Sequence, residues 1–204
     1  ALTRPEVRGT ITVLDPDGVL FARAWCGFEM QTALMQTGAD HRHDVYTRTA
    51  AGEVVSLTDG FIESDQQIAF EKNSREARFP ALLHERAAEF DLAQTRAYDP
   101  SDKEKILAHV RRDKGALRRL NKTLRAKFFV ARLYPLATEP PDAVKGQVRR
   151  GLEELRDSTL RKLTVDFDGR IVDAPSLVDG LVAALPHLSL EVLRVECTCY
   201  PRLG

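Results

Sequence analysis

The hydrophobic positions near the start of the chain change from a strand-like to a helix-like spacing. Residues 7–14 are rich in β-branched side chains and run into the turn sequence Asp-Pro-Asp-Gly at 15–18, which is typical of a β-strand. In residues 19–35 the apolar positions follow helical spacing, and Gly38 is a suitable helix C-cap. This part of the chain therefore predicts a strand, a turn and a helix.

The same alternation continues to about residue 130. Ser101 is predicted to cap the most clearly marked helix, and Glu104 three residues later completes a capping box. Ile106, Leu107 and Val110 are predicted to form the buried side of that helix, Gly115 is predicted to end it, and a second amphipathic run follows. Further strands are predicted at 44–47, 54–57, 67–70 and 90–92, and further helices at 80–89 and 117–128. This order favours an α/β fold, a layered sheet with flanking helices.

A change of composition at 136–141, where two prolines are adjacent, predicts a linker. Beyond it an amphipathic helix is predicted, and the pattern L-x-x-L-x-V then occurs twice, at 160–165 and 190–195, thirty residues apart. We therefore divide the chain into an α/β domain (1–131), a linker (132–141) and a C-terminal segment (142–204).

The repeated pattern predicts two parallel, adjacent strands joined by a helix. Leu177, Leu181 and Leu185 lie between the two copies at helical spacing, and Pro186 ends the run. This arrangement resembles the longer leucine-rich repeats, which alternate a strand with a full helix. The alternative is a single β-α-β unit that completes the same domain.

Composition and charge are those of an ordinary globular chain. The 204 residues include 30 Lys+Arg and 30 Asp+Glu, which argues against a nucleic-acid-binding module that depends on overall charge. No apolar run approaches the ~18 residues of a membrane span, and no secretory signal is visible. Cys26, Cys197 and Cys199 form no disulfide framework and suit a reducing compartment. We expect an intracellular, cytoplasmic protein, with an organelle as the alternative.

The most distinctive chemistry lies in residues 23–29, which read R-A-W-C-G-F-E. Trp25 and Glu29 are four residues apart on a predicted helix, so their side chains share one face. An indole beside a carboxylate can desolvate it, which prepares the carboxylate for acid–base chemistry. We nevertheless expect Trp25 to be a largely buried core residue and Glu29 to be solvated or paired with an arginine.

The W-C-x-x-E pattern resembles that of Toll/interleukin-1-receptor-like (TIR) domains, and in particular a divergent TIR-like family of algae and other protists. In that family a second block, D-x-x-x-A-x-A-x-x-x-x-D-K-x-x-I-L, follows, and residues 91–107 match it except at Thr95. A final N-x-x-L-R matches residues 121–125. The resemblance covers roughly residues 7–130, and such domains are often followed by repeats.

The resemblance implies a catalytic role for Glu29, because the glutamate of this motif is the catalytic residue in TIR domains that cleave NAD. It also implies that the chain starts at the third strand of the domain, without the preceding elements that supply much of the nucleotide pocket. Arg23 replaces the serine of the motif, and Gly27 replaces an apolar residue. A glutamate without its pocket cannot position a substrate, so we expect no catalysis and no cofactor.

Basic residues are concentrated between Arg111 and Lys127, where Asp113 is the only acidic residue. If the apolar positions of this run are buried, its cations form a positive outer face that can bind an acidic partner. The alternative is an ordinary solvated face. The run lacks the interleaved aromatic residues that stack bases, so we do not expect nucleic acid. The predicted interaction surface comprises Arg111, Arg112, Arg118, Arg119, Lys122 and Arg125.

Two residue pairs are weak candidates for metal binding. His41 and His43 would share one face of a strand, and Cys197 and Cys199 could chelate a soft metal. Neither pair completes a site, so we expect no metal, and we expect the histidines in a surface loop that enters a strand. The common nucleotide-loop, dinucleotide, zinc-protease and hydrolase motifs do not occur in the chain.

These features predict a protein-interaction or scaffold protein without catalysis of its own, with an acidic protein or a larger assembly as its partner. The alternative from another class is an NAD glycohydrolase, or a related nucleotide-processing enzyme, that uses Glu29. NAD is a ligand only under that alternative.

Overall fold

The computed structural model describes residues 9–35, 42–57, 76–136, 141–156, 158, 162–168, 174–188, 190 and 192–198. These residues form helices and two small sheets, so the predicted α/β class is confirmed at this level. The strands are β1 (Gly9–Val13), β2 (Arg42–Arg48), β3 (Val54–Leu57), β4 (Lys162–Asp168) and β5 (Val192–Thr198). The α-helices are α1 (Ala24–Met35), α2 (Ala81–Ala88), α3 (Pro100–Val110), α4 (Ala116–Leu136), α5 (Pro141–Leu155) and α6 (Ala174–Ala184).

The first sheet consists of three strands with β2 in the middle. β1 is parallel to β2, with Ile11 opposite Asp44, whereas β3 is antiparallel to β2, with Tyr46 opposite Ser56. The strands predicted at 44–47 and 54–57 are therefore confirmed. The strand predicted at 67–70 lies outside the described residues.

One face of this sheet packs with α1, α2, α3 and the first part of α4 around a shared hydrophobic core, which we call the first core. Phe21 lies in its centre and meets Phe90 and Phe128 edge to face, with ring centroids 6.4 and 5.4 Å apart. Such contacts add to the stabilisation that comes from burying apolar area. The predicted buried side of α3, formed by Ile106, Leu107 and Val110, belongs to the first core, which confirms that prediction.

The helix predicted for residues 19–35 is divided into two parts. A 3₁₀ helix, Val19–Ala22, comes first, and the Asp15 carboxylate accepts hydrogen bonds from the N–H groups of Val19 and Leu20, at 3.0 and 3.3 Å. Arg23 is then extended and forms a parallel bridge with Arg96, after which α1 begins. The extended residue lets α1 leave in a new direction while the backbone at Arg23 stays paired.

Two predictions between residues 90 and 101 are wrong, because aspartates direct the local backbone. The strand predicted at 90–92 is replaced by a 3₁₀ helix, Leu92–Gln94, since the Asp91 carboxylate accepts the N–H of Ala93 at 3.0 Å. The cap of α3 is Asp99, which accepts the N–H of Ser101 at 2.8 Å, whereas Ser101 was expected to cap. Pro100 occupies the first helical turn, where its missing N–H has no cost.

The second sheet consists of the parallel strands β4 and β5, with α6 between them in the chain. Leu163 is opposite Leu193, and Val165 is opposite Val195, so the two copies of the repeated pattern are aligned in register. The predicted parallel, adjacent pairing is therefore confirmed. Whether this β-α-β unit belongs to the leucine-rich repeats stays a prediction.

A second hydrophobic cluster, which we call the second core, joins α4, α5 and α6. Leu155, Leu181 and Ala184 are buried there against Ala126 of α4. Helix α4 thus contributes to both cores. It also runs through Leu136, so residues 132–136 of the predicted linker are helical, while 137–140 lie outside the described residues.

Candidate functional site

The Trp25–Glu29 segment forms the first turn of α1 and is anchored by backbone pairing. The N–H of Ala24 donates to the carbonyl of Arg96 at 2.8 Å, and the N–H of Arg96 donates to the carbonyl of Ala22 at 2.7 Å. These bonds satisfy groups at the start of the helix that otherwise have no partner. The W-C-x-x-E segment is therefore attached directly to the segment that precedes α3.

Trp25 is 46 % exposed, so the expectation of a buried core residue is wrong. Its indole N–H donates to the Asp102 carboxylate at 3.3 Å, and its ring meets Phe28 edge to face, with centroids 6.3 Å apart. The interior at this end of α1 is instead occupied by Phe21 and Ala24, which are buried. Trp25 consequently lies between α1 and α3 with its orientation determined and part of its ring open to solvent.

Glu29 is exposed on α1 one turn after Trp25. Its carboxylate is open to solvent in this position. Cys26 lies between Arg23 and Glu29; burial raises the pKa of its thiol, Arg23 opposes this rise and Glu29 adds to it. At neutral pH the cysteine is therefore a thiol and not a nucleophilic thiolate.

Close packing explains the glycine at position 27. A Cβ atom at this position would lie 2.7 Å from the Phe90 ring and 3.3 Å from a methyl group of Leu92. Glycine therefore lets α1 approach the chain at 90–92 more closely than any other residue would.

The second block of the family-like pattern forms an internal hydrogen-bond network. The Asn121 side-chain amide donates to the Asp91 carboxylate at 2.7 Å, and its oxygen accepts the N–H of Leu92 at 3.1 Å. Arg125 donates to the carbonyl of Phe90 at 2.7 Å. The matching residues Asp91, Asn121 and Arg125 therefore connect α4 to the turn before α3, which is a structural role.

Two of the six cations in the predicted interaction surface contact α5. Lys122 donates to the carbonyl groups of Glu153 and Arg156 at the end of α5, at 3.0 and 2.9 Å. Arg125 pairs with Glu154 at 3.2 Å in addition to its bond to Phe90. α4 turns these two side chains toward α5, and their part in an interaction surface stays a prediction.

The remaining cations lie around the turn that joins α3 to α4. Arg111, Arg112 and Lys114 are exposed there, as is Arg118 at the start of α4. Arg119 contacts Asp113 at 3.7 Å and donates to the carbonyl of Lys114 at 3.1 Å. We call this set the basic corner: Arg111, Arg112, Lys114, Arg118 and Arg119.

The first turn of α4 contains no acidic residue, although acidic residues stabilise helix N-termini. Cations in this turn therefore add to the positive potential of the helix end. The basic corner consequently has an arrangement that favours an anionic group.

Lys127, at the end of the basic run, is buried and donates to the carbonyl of His43 at 2.8 Å. His43 is itself buried in β2 and forms a 2.8 Å hydrogen bond with Thr12. The expectation of histidines in a surface loop is thus wrong for His43, and His41 lies outside the described residues. Lys127 lies three residues after Leu124, and this spacing in the sequence would have placed it on the buried side of α4.

Sequence reasoning missed the outer face of the first sheet. Ile11 and Val13 alternate along β1 and are 66 % and 67 % exposed, and Val54 at the start of β3 is 66 % exposed. All-parallel sheets are covered on both faces, whereas sheets with antiparallel strands commonly leave one face to solvent. The alternation of β1 was visible in the sequence, but which face it would leave open was not.

Among the described residues, no group of three or more metal-binding side chains occurs, and no helix has the length and apolar character that a membrane crossing requires. Comparison with protein-family models, with curated proteins and with solved structures finds no match for this chain.

Proposed function

We propose that the chain is a protein-interaction module without catalysis of its own, and that it binds an acidic segment of its partner at the basic corner. The observation that carries this proposal is the exposure of Arg111, Arg112 and Lys114 on a tight turn, with Asp113 as the adjacent carboxylate. Arginine is enriched in protein interfaces, and its guanidinium group pairs with carboxylates in a bidentate geometry.

The dipoles of α3 and α4 act differently on the cations of the basic corner. Arg111 lies at the C-terminal end of α3, where a cation is stabilised, whereas Arg118 lies at the N-terminal end of α4, where it is not. The cations at α4 therefore add to the positive potential of this helix end, where a bound carboxylate would be stabilised. The proposed C-terminal leucine-rich-repeat-like unit and the TIR-like resemblance agree with this role, because both classes commonly serve in assemblies.

The proposal is tested with a dye-labelled ten-residue polyglutamate peptide, whose binding is followed by fluorescence anisotropy. We expect binding that weakens steeply between 50 and 300 mM salt (about a 14 to 6 Å screening length), because exposed charges are screened by ions. Arg111→Glu with Arg112→Glu should reduce the affinity at least about tenfold. Arg149→Glu with Arg150→Glu, which reverses two exposed cations on α5, is the matched control and should bind like the parent. Equal loss in both variants would contradict the proposal.

One observation keeps the NAD-cleaving alternative testable: Glu29 is exposed and lies one turn from the oriented Trp25. If the chain hydrolyses NAD, the purified protein releases nicotinamide, and Glu29→Ala abolishes the release. Turnover that depends on Glu29 would replace the proposal of a module without catalysis.

A further inference from the structure

The solvent-exposed face of α3 carries opposite charges toward its two ends. Glu104 lies near the first end, Arg111 follows the last helical residue, and Ala108 lies between them; all three are exposed. Glu104 and Arg111 are seven residues apart, which is two helical turns and about 10 Å along the axis. They therefore share a face but are too far apart along it to be the usual neighbours of an intrahelical pair.

The local sequence offers these charges no partner within the helix. The positions three and four residues from Glu104 are Pro100, Ser101, Leu107 and Ala108, which are uncharged. Lys105 is engaged with Asp102 at 3.1 Å instead. In the part of the chain that the structure describes, no hydrogen bond or ion pair involves the side chains of Glu104, Arg111 or Arg112.

An exposed aromatic residue lies near the acidic end of α3. Tyr98, two residues before the helix, is fully exposed. Tyrosine, tryptophan and arginine are the residues most enriched in interface hot spots, and an arginine placed over an aromatic ring gains a cation–π attraction. The acidic end of α3 therefore has what the arginine end of another α3 would contact.

We infer that the partner of the basic corner is a second copy of this chain, bound through the exposed face of α3 in an antiparallel, twofold-symmetric contact. This inference rests on the proposed function. An antiparallel pair places Arg111 and Arg112 of each copy beside Glu104 and Tyr98 of the other, so every contact is made twice. Ala108 lies near the crossing point, where its small side chain allows the two helices to approach closely.

The expected association is weak and depends on salt. Exposed ion pairs contribute little individually, and only the two symmetric sets of contacts together favour the dimer. We therefore expect a dissociation constant of about 10–100 μM at low salt, which rises as salt screens the charges.

The experiment compares the parent chain with two charge variants by analytical ultracentrifugation. Glu104→Lys makes both ends of the α3 face positive, and Arg111→Glu with Arg112→Glu makes both ends negative. Each variant alone should be monomeric, with a dissociation constant at least about tenfold above that of the parent. An equimolar mixture of the two should recover the dimer, because the positive ends then meet the negative ends.

Two further variants control for folding and location. Arg149→Glu with Arg150→Glu, on exposed α5 positions, should dimerise like the parent. Ala108→Arg, which keeps a helix-forming residue at an exposed position, should prevent dimerisation while circular dichroism and the melting temperature remain close to those of the parent.

A parent chain that stays monomeric at 200 μM (about twenty to two times the expected dissociation constant) and low salt would overturn the inference. So would a dimer that persists in the Ala108→Arg variant, or a mixture of charge variants that remains monomeric. The polyglutamate experiment is independent of these results. If the peptide binds at the basic corner while the chain is monomeric, the proposed function stands and only the second copy is excluded as the partner. If neither occurs, both proposals fail.

Discussion

The two cores on helix α4 are packed in different ways. The first core is rich in aromatic rings, and Phe128 of α4 meets Phe21 and Phe79 edge to face there. In the second core, glycine allows the helices to pack closely, since a Cβ atom at Gly151 of α5 would overlap the ring of Phe129 on α4. Large side chains thus fill the space behind the sheet, whereas the helices of the second core are in close contact.

The polar residues of α4 follow the same division. Asn121 forms its hydrogen bonds on the side of the first core, and the next residue, Lys122, donates to the end of α5. Arg125 contacts both Phe90 and Glu154. Helix α4 couples the two cores, because its unfolding would expose apolar residues of both. We therefore expect the first and second cores to unfold together.

The largest effect is expected from removing a buried leucine in the second core. Leu155 is completely buried, so Leu155→Ala should lower the free energy of unfolding by about 2–5 kcal/mol. Trp25 is the only tryptophan and lies in the first region, so its fluorescence reports that region alone. If α4 couples the cores, urea unfolding followed by fluorescence and by circular dichroism shifts equally. A fluorescence midpoint that stays at the parent's value would show that the regions unfold independently.

The next effect concerns the polar contacts of α4. Asn121→Ala removes two hydrogen bonds and leaves Asp91 and the Leu92 N–H without these partners, so a loss of about 1–3 kcal/mol is expected from urea unfolding. Lys122→Ala, the neighbouring residue on the other side of α4, removes exposed bonds and should cost less than about 1 kcal/mol. A larger loss for Lys122 than for Asn121 would reverse this ranking.

Two glycine-to-alanine substitutions on α5 are expected to change the free energy of unfolding in opposite directions. Gly146→Ala on α5 meets open space and should stabilise the chain by about 0.5–1 kcal/mol, because alanine favours the helix. Gly151→Ala would overlap Phe129, and the strain should leave a net loss of about 1–2 kcal/mol. Thermal melting of both variants measures the difference. If both are stabilised, the close approach of α4 and α5 is wrong.

The smallest effect is a pH dependence in the first region. Burial opposes the charged form of Asp15, but the backbone N–H groups of Val19, Leu20 and Asp17 outweigh it and lower the pKa of Asp15. A carboxyl group whose pKa is lowered in the folded state adds stability above its unfolded pKa, about 3.9, and loses it as the pH falls through the lower folded value. The melting temperature of Asp15→Asn should therefore lie slightly below the parent's at pH 5–7 and approach it below about pH 4. A difference that does not change with pH would contradict the charge-based cause.

The sequence pattern predicted most helices and strands, because hydrophobic periodicity and turn residues act over a few neighbouring positions. The register of β4 and β5 is the clearest example, since residues 162–165 and 192–195, which belong to the two copies of one pattern, pair without offset. The helix predicted at 80–89 agrees with α2, and the buried side of α3 was also predicted. The strand at 90–92 and the Ser101 cap failed because an aspartate carboxylate that binds a nearby N–H overrides such patterns.

The burial and charge pairing of the candidate site residues could not be predicted from the sequence alone. The sequence alone determined that Trp25 and Glu29 share a helical face, that cations cluster between Arg111 and Lys127, and that the pattern L-x-x-L-x-V occurs twice. The tertiary structure decided that Trp25 is half-exposed and that Lys127 is buried. The physical reason is that burial and charge pairing depend on which element packs against a face. Residues distant in the chain, such as Asp102 for Trp25 and the end of α5 for Lys122, decide them.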